Sequence, residues 1–252
     1  MKKQVLMEKI FPDADSPTRN HLLAWLPALL QITDSAYPIG GFAHSGGLEG
    51  MVALEYVRQA EDLRKFLHHE VAETLACVEL PLLHRAWLAA LEENVPRLQE
   101  LDALREAVRF AAEQRQASRR LGCQRMALCL KLQVPQLTVA QQTWFSDLSQ
   151  TLPHKHLSVI IGAEAALLNI PVDAAMLALA HQTVMMVTQA AMKIMRIGQN
   201  SVQTMVAGMT TRYPGLITHA KRLDLADLGT CLPQLDLATA WHETAPARMF
   251  LS

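Results

Sequence analysis

The sequence predicts an all-α fold, organised as a single-domain helical bundle. Half of its 252 residues are hydrophobic and only 5% are aromatic, a composition that favours helices over sheets. Apolar residues recur at helical spacing through most of the chain, and the pattern breaks mainly at prolines and glycines. This apolar content excludes a disordered chain and is sufficient for a sizeable core.

The N-terminal part of the chain predicts a leader, a helix, a loop and a short helix. The first residues combine prolines with mixed charge, so we expect a flexible leader over 1–20. Helical spacing begins at His21, with Pro27 near a helix start or a kink. Residues 33–47 contain a proline and four glycines, which indicates an irregular loop, and a short helix follows over 48–57.

Helical spacing dominates the middle of the chain. We expect Pro81 to split or bend the helical segment 60–92, and a single long helix to cover 98–132. The remaining predicted helices are 139–150, with Thr138 as its N-cap, 154–169, 171–197 and 199–210.

Prolines and glycines return after Thr211, and we expect no long helix beyond that point. The segment therefore predicts a loose C-terminal tail that is partly ordered only with a partner. The predicted organisation is a leader over 1–20, an all-helical domain over 21–210 and this tail over 211–252.

Charge and cysteine content exclude several classes of protein. The formal net charge of −1 provides no basic field for nucleic acid or anionic lipid. No two of the four cysteines have CxxC spacing, which argues against a zinc knuckle or a redox motif. The longest apolar run, from Leu22 to Leu30, is about half of a membrane span. We expect a cytoplasmic protein with neither a membrane nor a nucleic-acid partner.

Common enzyme motifs are absent from the sequence. No P-loop is present, and the glycine cluster at 40–47 lacks the lysine that such a loop requires. His44 beside Ser45 leaves a Ser/His hydrolase as an alternative, although adjacent residues rarely place a base on the proton of a nucleophile. We assign no catalytic residue and no cofactor.

Two polar patterns allow more than one interpretation. His154 and His156 form an H-x-H pair, which indicates either solvated or capping histidines or a transient contact with nickel or zinc. We assign no metal site. The segment 97–125 contains seven arginines, which is typical of a solvated helix face and leaves a protein-binding patch as the alternative.

Methionines concentrate in one part of the chain, with seven of the twelve in 176–209. Such residues pack a core or form an adaptable contact with another chain. They also leave open a helical ligand-binding regulator, which would require a closed apolar cavity. Lys193 in the same region either extends its ammonium to solvent or places a charge at a partner surface.

Three separated segments carry the most specific pattern. The first reads D-S-A-Y-P-I-G-G-F-A-H-S-G-G-L-E over 34–49, and the second covers 156–203 and includes Ala191-Met192-Lys193 and Ile197-Gly198-Gln199. The third is Trp241-His242-Glu243, followed by A-R-M-F-L-S over 247–252. From about residue 22 to the end, their order and spacing resemble the family of the urease accessory protein UreF.

This resemblance implies an all-α protein that forms a homodimer and is not an enzyme. Members of the family bind the accessory protein UreD, also called UreH, and then recruit the GTPase UreG. The assembly delivers nickel to the urease apoprotein. The missing P-loop agrees with this role, because the nucleotide chemistry would belong to UreG.

The resemblance also transfers partner-binding residues onto matching positions. They lie in the loop of the first segment, in the helical second segment and in the C-terminal third segment. The expected residues are Pro38, Gly40, Gly41, Phe42, His44, Ser45, Gly47, Leu48 and Glu49, then Lys193, Gly198 and Gln199, and finally His242, Glu243 and Arg248.

Overall fold

The computed structural model describes residues 17–132 and 137–252, with side chains from Ala24 onward. Eleven helices and no strand occur in this described part of the chain, which confirms the all-α prediction. In chain order they are α1 (Pro17–Thr33), α2 (Leu48–Ala53), α3 (Ala60–Leu91), α4 (Val95–Ala107), α5 (Ala112–Leu132), α6 (Val139–Thr151), α7 (Leu157–Leu167), α8 (Val172–Ile194), α9 (Gln199–Thr210), α10 (Tyr213–Arg222) and α11 (Pro233–Glu243).

The long helix α3 lies at the centre of the bundle, and α4, α7, α8 and α10 pack around it. The α3–α7 contact is the most extensive in the molecule because small residues line it. A Cβ atom on Gly162 would lie 2.5 Å from the carbonyl oxygen of Leu83 and 2.8 Å from the Cβ of Ala86. Glycine at this position therefore sets the distance between the two helix axes.

Helix α3 continues through Pro81, so the prediction of a split is wrong. It contains two π-helical turns, Leu67–Val71 and Leu75–Glu79, and the second lies directly before the proline. The wider turn accommodates the proline ring, which would collide with a carbonyl of a regular α-helix. By length and composition alone α3 could cross a membrane, but 56% of its most apolar window is buried inside the bundle.

The predicted helix over 98–132 is wrong in one respect, because the chain breaks between Ala107 and Ala112 to form α4 and α5. One local and one tertiary contact stabilise this break. Arg115 donates from Nη1 to the carbonyl oxygen of Arg109 at 2.7 Å, and Glu243 accepts from the backbone N–H of Glu113 at 2.8 Å.

Helix α7 begins at Leu157, three residues later than the spacing predicts. The Asp102 carboxylate accepts the backbone N–H groups of His154, Lys155 and His156 at 2.8, 2.9 and 2.8 Å. These bonds satisfy the backbone donors of a non-helical segment ahead of α7. By contrast, α6 begins as predicted, because Thr138 and Gln141 form a reciprocal capping box.

The C-terminal segment differs most from the sequence prediction. In place of a loose tail, residues 211–252 form α10, a 3-10 turn at Leu225–Asp227 and α11. Phe250 and Ser252 are buried against the rest of the chain. The prediction of a loose tail without a long helix is therefore wrong. The apolar residues of this segment pack against the rest of the chain, and local composition does not reveal such contacts.

The N-terminal prediction is tested only in part. Helix α1 begins at Pro17, four residues before the predicted start, and it includes Pro27 without interruption. Residues 1–16 of the predicted leader lie outside the described part of the chain.

Candidate functional site

The loop that follows α1 contains the first sequence segment. It is irregular, as predicted, with a 3-10 turn at Gly41–Ala43. Gly47 has a φ of +88°, and a Cβ atom there would lie 2.6 Å from a methyl carbon of Leu235. Both the backbone conformation and the close approach of α11 therefore require glycine at this position.

The last residues of the chain pair with this loop. The backbone N–H of Leu251 donates to the carbonyl oxygen of Ala43 at 2.7 Å. The Ser252 carbonyl oxygen accepts from both the backbone N–H and the hydroxyl of Ser45, the latter at 2.8 Å. The Nδ1 atom of His44 lies 2.7 Å from the Ser252 hydroxyl. Four contacts thus join two segments that are more than 200 residues apart in sequence.

Glu49, at the start of α2, is the central acceptor of this arrangement. Its carboxylate accepts the backbone N–H groups of Met249 at 2.8 Å and Phe250 at 2.9 Å, and it lies 3.0 Å from Nε2 of His242. Partial burial by itself would raise the pKa of Glu49, but these three hydrogen bonds outweigh that effect and hold the pKa below its usual value. The ionised carboxylate is therefore the form that fastens the C-terminal segment.

His242 lies between two carboxylates. Its Nδ1 atom is 2.8 Å from Glu113, on the opposite side of the ring from Glu49. Burial raises the pKa of Glu113, with His242 and Arg248 acting in the opposite direction. A neutral imidazole donates from only one nitrogen, so in that form the ring donates to only one of the two carboxylates.

The cluster extends from His242 to two further residues of the third segment. Glu243 caps the first turn of α5 by accepting the N–H of Glu113 at 2.8 Å, and Arg248 lies 3.5 Å from the Glu113 carboxylate. Sequence reasoning identified His242, Glu243 and Arg248 but missed Glu113. The sequence contains no signal for it, since no motif includes Glu113 and the spacing predicts one continuous helix across its position.

We call the set Ala43, His44, Ser45, Glu49, Glu113, His242, Met249, Phe250, Leu251 and Ser252 the tail-docking cluster. Lys193 joins it from α8, with its ammonium 5.3 Å from the centre of the Phe250 ring in cation–π geometry. Gly198 and Gln199 begin α9 and are exposed, and no described hydrogen bond joins either of them to the cluster.

The predicted partner-binding residues divide by exposure. His44, Ser45, Gly47, Leu48 and His242 are buried and contact the chain itself. The other predicted residues are exposed to solvent, apart from the half-buried Gly41 and Glu49. The exposed residues are Pro38, Gly40, Phe42, Lys193, Gly198, Gln199, Glu243 and Arg248, together with the unpredicted Met249 and Leu251.

The geometry does not support the hydrolase alternative. The Ser45 hydroxyl donates to the Ser252 carbonyl, and the His44 imidazole contacts the Ser252 hydroxyl, so no described hydrogen bond joins Ser45 to His44. Both side chains are buried. Burial, aided by Arg120, lowers the pKa of His44, but the imidazole is not directed at the serine proton that a base must remove.

The second histidine of the H-x-H pair is part of the protein interior. His156 is fully buried, and its Nε2 lies 3.0 Å from the Glu106 carboxylate, while its ring centre is 5.7 Å from that of His154. The described residues contain no group of three histidine, cysteine or acidic side chains that could hold a metal ion. For His156 the solvated interpretation is wrong, because the side chain packs between α4 and α7. The capping interpretation agrees in position, since His156 is the N-cap residue of α7, although its side chain forms no cap hydrogen bond.

The arginine-rich segment is also more buried than predicted. Arg105 pairs with Glu79 at 2.8 Å, Arg125 pairs with Glu164 in the core, and Arg109 is buried as well. The interpretation of 97–125 as a solvated face is wrong for these three side chains. A sequence cannot reveal partners such as Glu79 and Glu164, since they come from other helices.

The methionines of 176–209 mainly fill the interior, with Met176 and Met209 buried and Met192 exposed. A pocket of about 320 Å³ lies between the loop and α8 and is lined in part by Met185, Met186 and the exposed Phe42. Because exposed side chains line it, this pocket is a surface groove rather than the closed cavity that a ligand-binding regulator requires.

The fold and the cluster define an all-α protein in which a glycine-rich loop is fastened to the distant C-terminal segment. The sequence comparisons identify the family. The UreF family model matches residues 57–210, which is more than half of the chain, and the chain belongs to the UreF family of urease accessory proteins.

Similar proteins extend this match to nearly the whole chain. The urease accessory protein UreF of Chromohalobacter salexigens is 31% identical over 94% of this chain and 98% of its own length. Those of Rhizobium leguminosarum bv. viciae and Granulibacter bethesdensis are 30% and 27% identical, over 90% and 95% of this chain and 97% and 99% of their own lengths.

Proposed function

We propose that this chain is a non-enzymatic scaffold in urease maturation. It binds UreD/UreH, recruits the GTPase UreG and supports GTP-dependent insertion of nickel into the urease apoprotein. It does so in the cytoplasm, without a cofactor of its own and without a nucleic-acid or membrane partner. Membership of the UreF family supports the accessory role.

One observation carries the proposal, namely that the first and third sequence segments meet at Glu49. The buried members of the tail-docking cluster fasten the C-terminal segment, and Phe42, Met249 and Leu251 remain exposed beside it. Residues that are far apart in sequence thus contribute to one continuous face. A face of this kind suits protein recognition better than it suits chemistry on a small substrate.

Fastening the segment in advance also affects affinity. A segment that becomes ordered on binding loses conformational entropy at that moment, whereas a pre-ordered segment avoids much of this cost. In this proposal, residues 21–210 form the scaffold domain, and residues 211–252 complete the docking face upon it.

We also propose that two copies of the chain form a homodimer. Large apolar side chains outside the cluster are exposed, among them Leu30, Phe110 and Val139. Burial of such side chains between subunits would stabilise an assembly. Sedimentation equilibrium of the purified chain tests this proposal, and a monomer at all concentrations would contradict it.

The proposed scaffold role is tested by co-expression with UreD and UreG, followed by affinity capture on a tag attached to this chain. We expect both partners to be retained. Arg248→Ala should weaken capture of UreG by about 2 kcal/mol or more, because arginine is enriched among interface hot spots and binding of UreG would desolvate its contact with Glu113.

Arg97→Ala is the matched control, since Arg97 is also a half-exposed arginine beside a glutamate but lies on α4. It should retain both partners at the level of the unmodified chain. Failure of the unmodified chain to retain either UreD or UreG, or an equal loss with both variants, would contradict the proposal.

A further inference from the structure

Arg109 is a buried cation that pairs with no carboxylate of the described residues. It lies in the break between α4 and α5 and is 6% exposed. Among the described residues, its guanidinium donates hydrogen bonds to the hydroxyl oxygens of Thr74 at 3.1 Å and Thr230 at 3.4 Å. Within the described residues, no carboxylate oxygen lies within 4 Å of it, in contrast to the neighbouring Arg105. Burial of a charge without a counter-charge costs free energy, so a bound anion would stabilise Arg109 at this position.

A pocket of about 130 Å³ lies beside Arg109, between α3, α5 and α8. Arg109, Arg105, Thr74 and Gln114 line it. In the described part of the chain, Nε of Arg109, Nη1 of Arg105 and Oε1 of Gln114 are buried without a hydrogen-bond partner. Buried polar atoms are nearly always paired, so these atoms distinguish the pocket from an apolar packing defect.

The α3 wall of this pocket is irregular. Thr74 lies between the π turns Leu67–Val71 and Leu75–Glu79, and Glu79 ends the second turn. Such turns interrupt the regular hydrogen bonding of a helix and occur frequently at functional sites. The helix therefore departs from regular geometry where its side chains face the pocket.

The charges around Arg109 leave its guanidinium without a close counter-charge. Arg105 repels it, and Glu79 is already paired with Arg105. Asp236 attracts Arg109 from beyond ion-pair distance, and Glu70 lines the pocket but is partly exposed to solvent. Burial and the charge of Arg105 lower the pKa of Arg109 to about 10, so the side chain remains a cation at neutral pH.

We propose that this pocket binds a small oxyanion, with Arg109 as the principal ligand. A guanidinium presents parallel N–H groups that match two oxygens of a carboxylate or a phosphate. The Thr74 hydroxyl and the Gln114 amide N–H group lie on the same pocket and supply further donors, whereas the Gln114 Oε1 is an acceptor and does not contribute to anion binding. Its volume of about 130 Å³ limits the ligand to a few heavy atoms, such as formate or inorganic phosphate.

The test is titration of the full chain with sodium formate or sodium phosphate, followed by calorimetry and by thermal unfolding. Sodium chloride at equal ionic strength is the reference. We expect one saturable site per chain in the unmodified protein. Arg109→Gln should lower the affinity at least tenfold, whereas Arg97→Gln, at an exposed arginine of the same segment, should leave it unchanged.

Thr74→Val provides a second variant if Arg109→Gln does not fold. It retains both arginines and removes one hydroxyl, and it should weaken binding several-fold. The proposal is overturned if the unmodified protein shows no saturable binding. It is also overturned if Arg109→Gln, or in its absence Thr74→Val, binds as the unmodified chain does, because the site would then be an adventitious one elsewhere.

Discussion

Glu49 accepts hydrogen bonds from two backbone amides of the C-terminal segment and lies within hydrogen-bond distance of His242, so three parts of the chain depend on one carboxylate. Buried histidines show the same dependence on single contacts, since His156 is held by Glu106 and His44 by Ser252. At this scale the molecule is stabilised by a few specific polar contacts whose removal leaves donors unsatisfied.

Glu49→Gln should destabilise the fastened C-terminal segment by about 1–3 kcal/mol. The amide keeps one acceptor oxygen but places an NH₂ group against a backbone donor. Faster hydrogen exchange at the amides of Met249 and Phe250 would report the loss. Glu55→Gln is the control, because Glu55 forms an exposed ion pair and should change stability by less than about 0.5 kcal/mol. Equal exchange rates in both variants would contradict this role.

Acidification should lower stability through the buried histidines. Burial and Arg105 lower the pKa of His156, against the opposing charges of Glu79 and Glu106. The unfolded chain therefore takes up the proton first, and stability falls as the pH drops below about 6.5. Burial lowers the pKa of His44 and His84 in the same direction.

Urea unfolding between pH 7 and pH 5 measures this dependence. His156→Gln should reduce the loss of unfolding free energy between pH 7 and pH 5 by up to about 2 kcal/mol. The variant lacks the imidazole that takes up a proton on unfolding. Gln150→Ala, at an exposed side chain that does not titrate, should leave the slope of unfolding free energy against pH unchanged. A slope that is the same in all three proteins, or a stability that rises toward acid pH, would contradict the assignment.

At the scale of elements, close helix contacts and irregular turns determine how the bundle assembles. Gly162 allows α7 to lie directly on α3, and Gly50 allows α2 to approach the backbone of Ala238 in α11. The break between α4 and α5 depends on Arg115, which lies in the first turn of α5, and on Glu243, which is distant in sequence. Helix boundaries in this protein thus follow packing partners as much as local propensity.

Gly162→Ala should destabilise the protein by about 1–3 kcal/mol, despite the better helix propensity of alanine. The added Cβ would lie 2.5 Å from the Leu83 carbonyl oxygen, so α3 and α7 would have to separate. Gly215→Ala in α10 meets nothing within 4 Å and should be neutral or stabilising by up to about 1 kcal/mol. Denaturant midpoints compare the two, and the reverse ranking would contradict the packing argument.

At the scale of the whole molecule, the C-terminal segment closes the fold over the glycine-rich loop. Helix α11 packs on α2 and α5, and Phe250 and Ser252 are buried beyond it. This closure joins residues from both ends of the described chain into one face. The proposed partner binding is therefore a property of the assembled fold rather than of any single segment.

Phe250→Ala should release the last residues without unfolding the bundle. Removal of a buried ring from a core lowers the free energy of unfolding by about 3 kcal/mol or more. Because a chain end can detach locally, the loss in the global free energy of unfolding should be smaller. Limited proteolysis should then cut within 247–252 while the bundle stays resistant. Met249→Ala, at an exposed neighbour, should resemble the unmodified chain. Unchanged resistance of the C-terminal segment in Phe250→Ala would contradict local docking.

The sequence alone determined the all-α class, the irregular loop before α2, the N-cap at Thr138 and the family resemblance. Each of these depends on neighbouring residues or on a specific motif, which a sequence displays directly. It also identified Glu49, His242 and Arg248 as members of the candidate site, although through the resemblance rather than through their contacts.

Only the tertiary structure decided that residues 211–252 fold against the bundle, that α3 continues through Pro81, and that Arg105, Arg109 and Arg125 are buried. The physical reasons differ: apolar contacts order the C-terminal segment, a π turn accommodates the Pro81 ring, and burial of Arg105 and Arg125 depends on carboxylates of other helices. Glu113, Glu79 and Glu164 are supplied by other helices, and the free energy of a buried polar contact depends on a partner that sequence spacing does not specify.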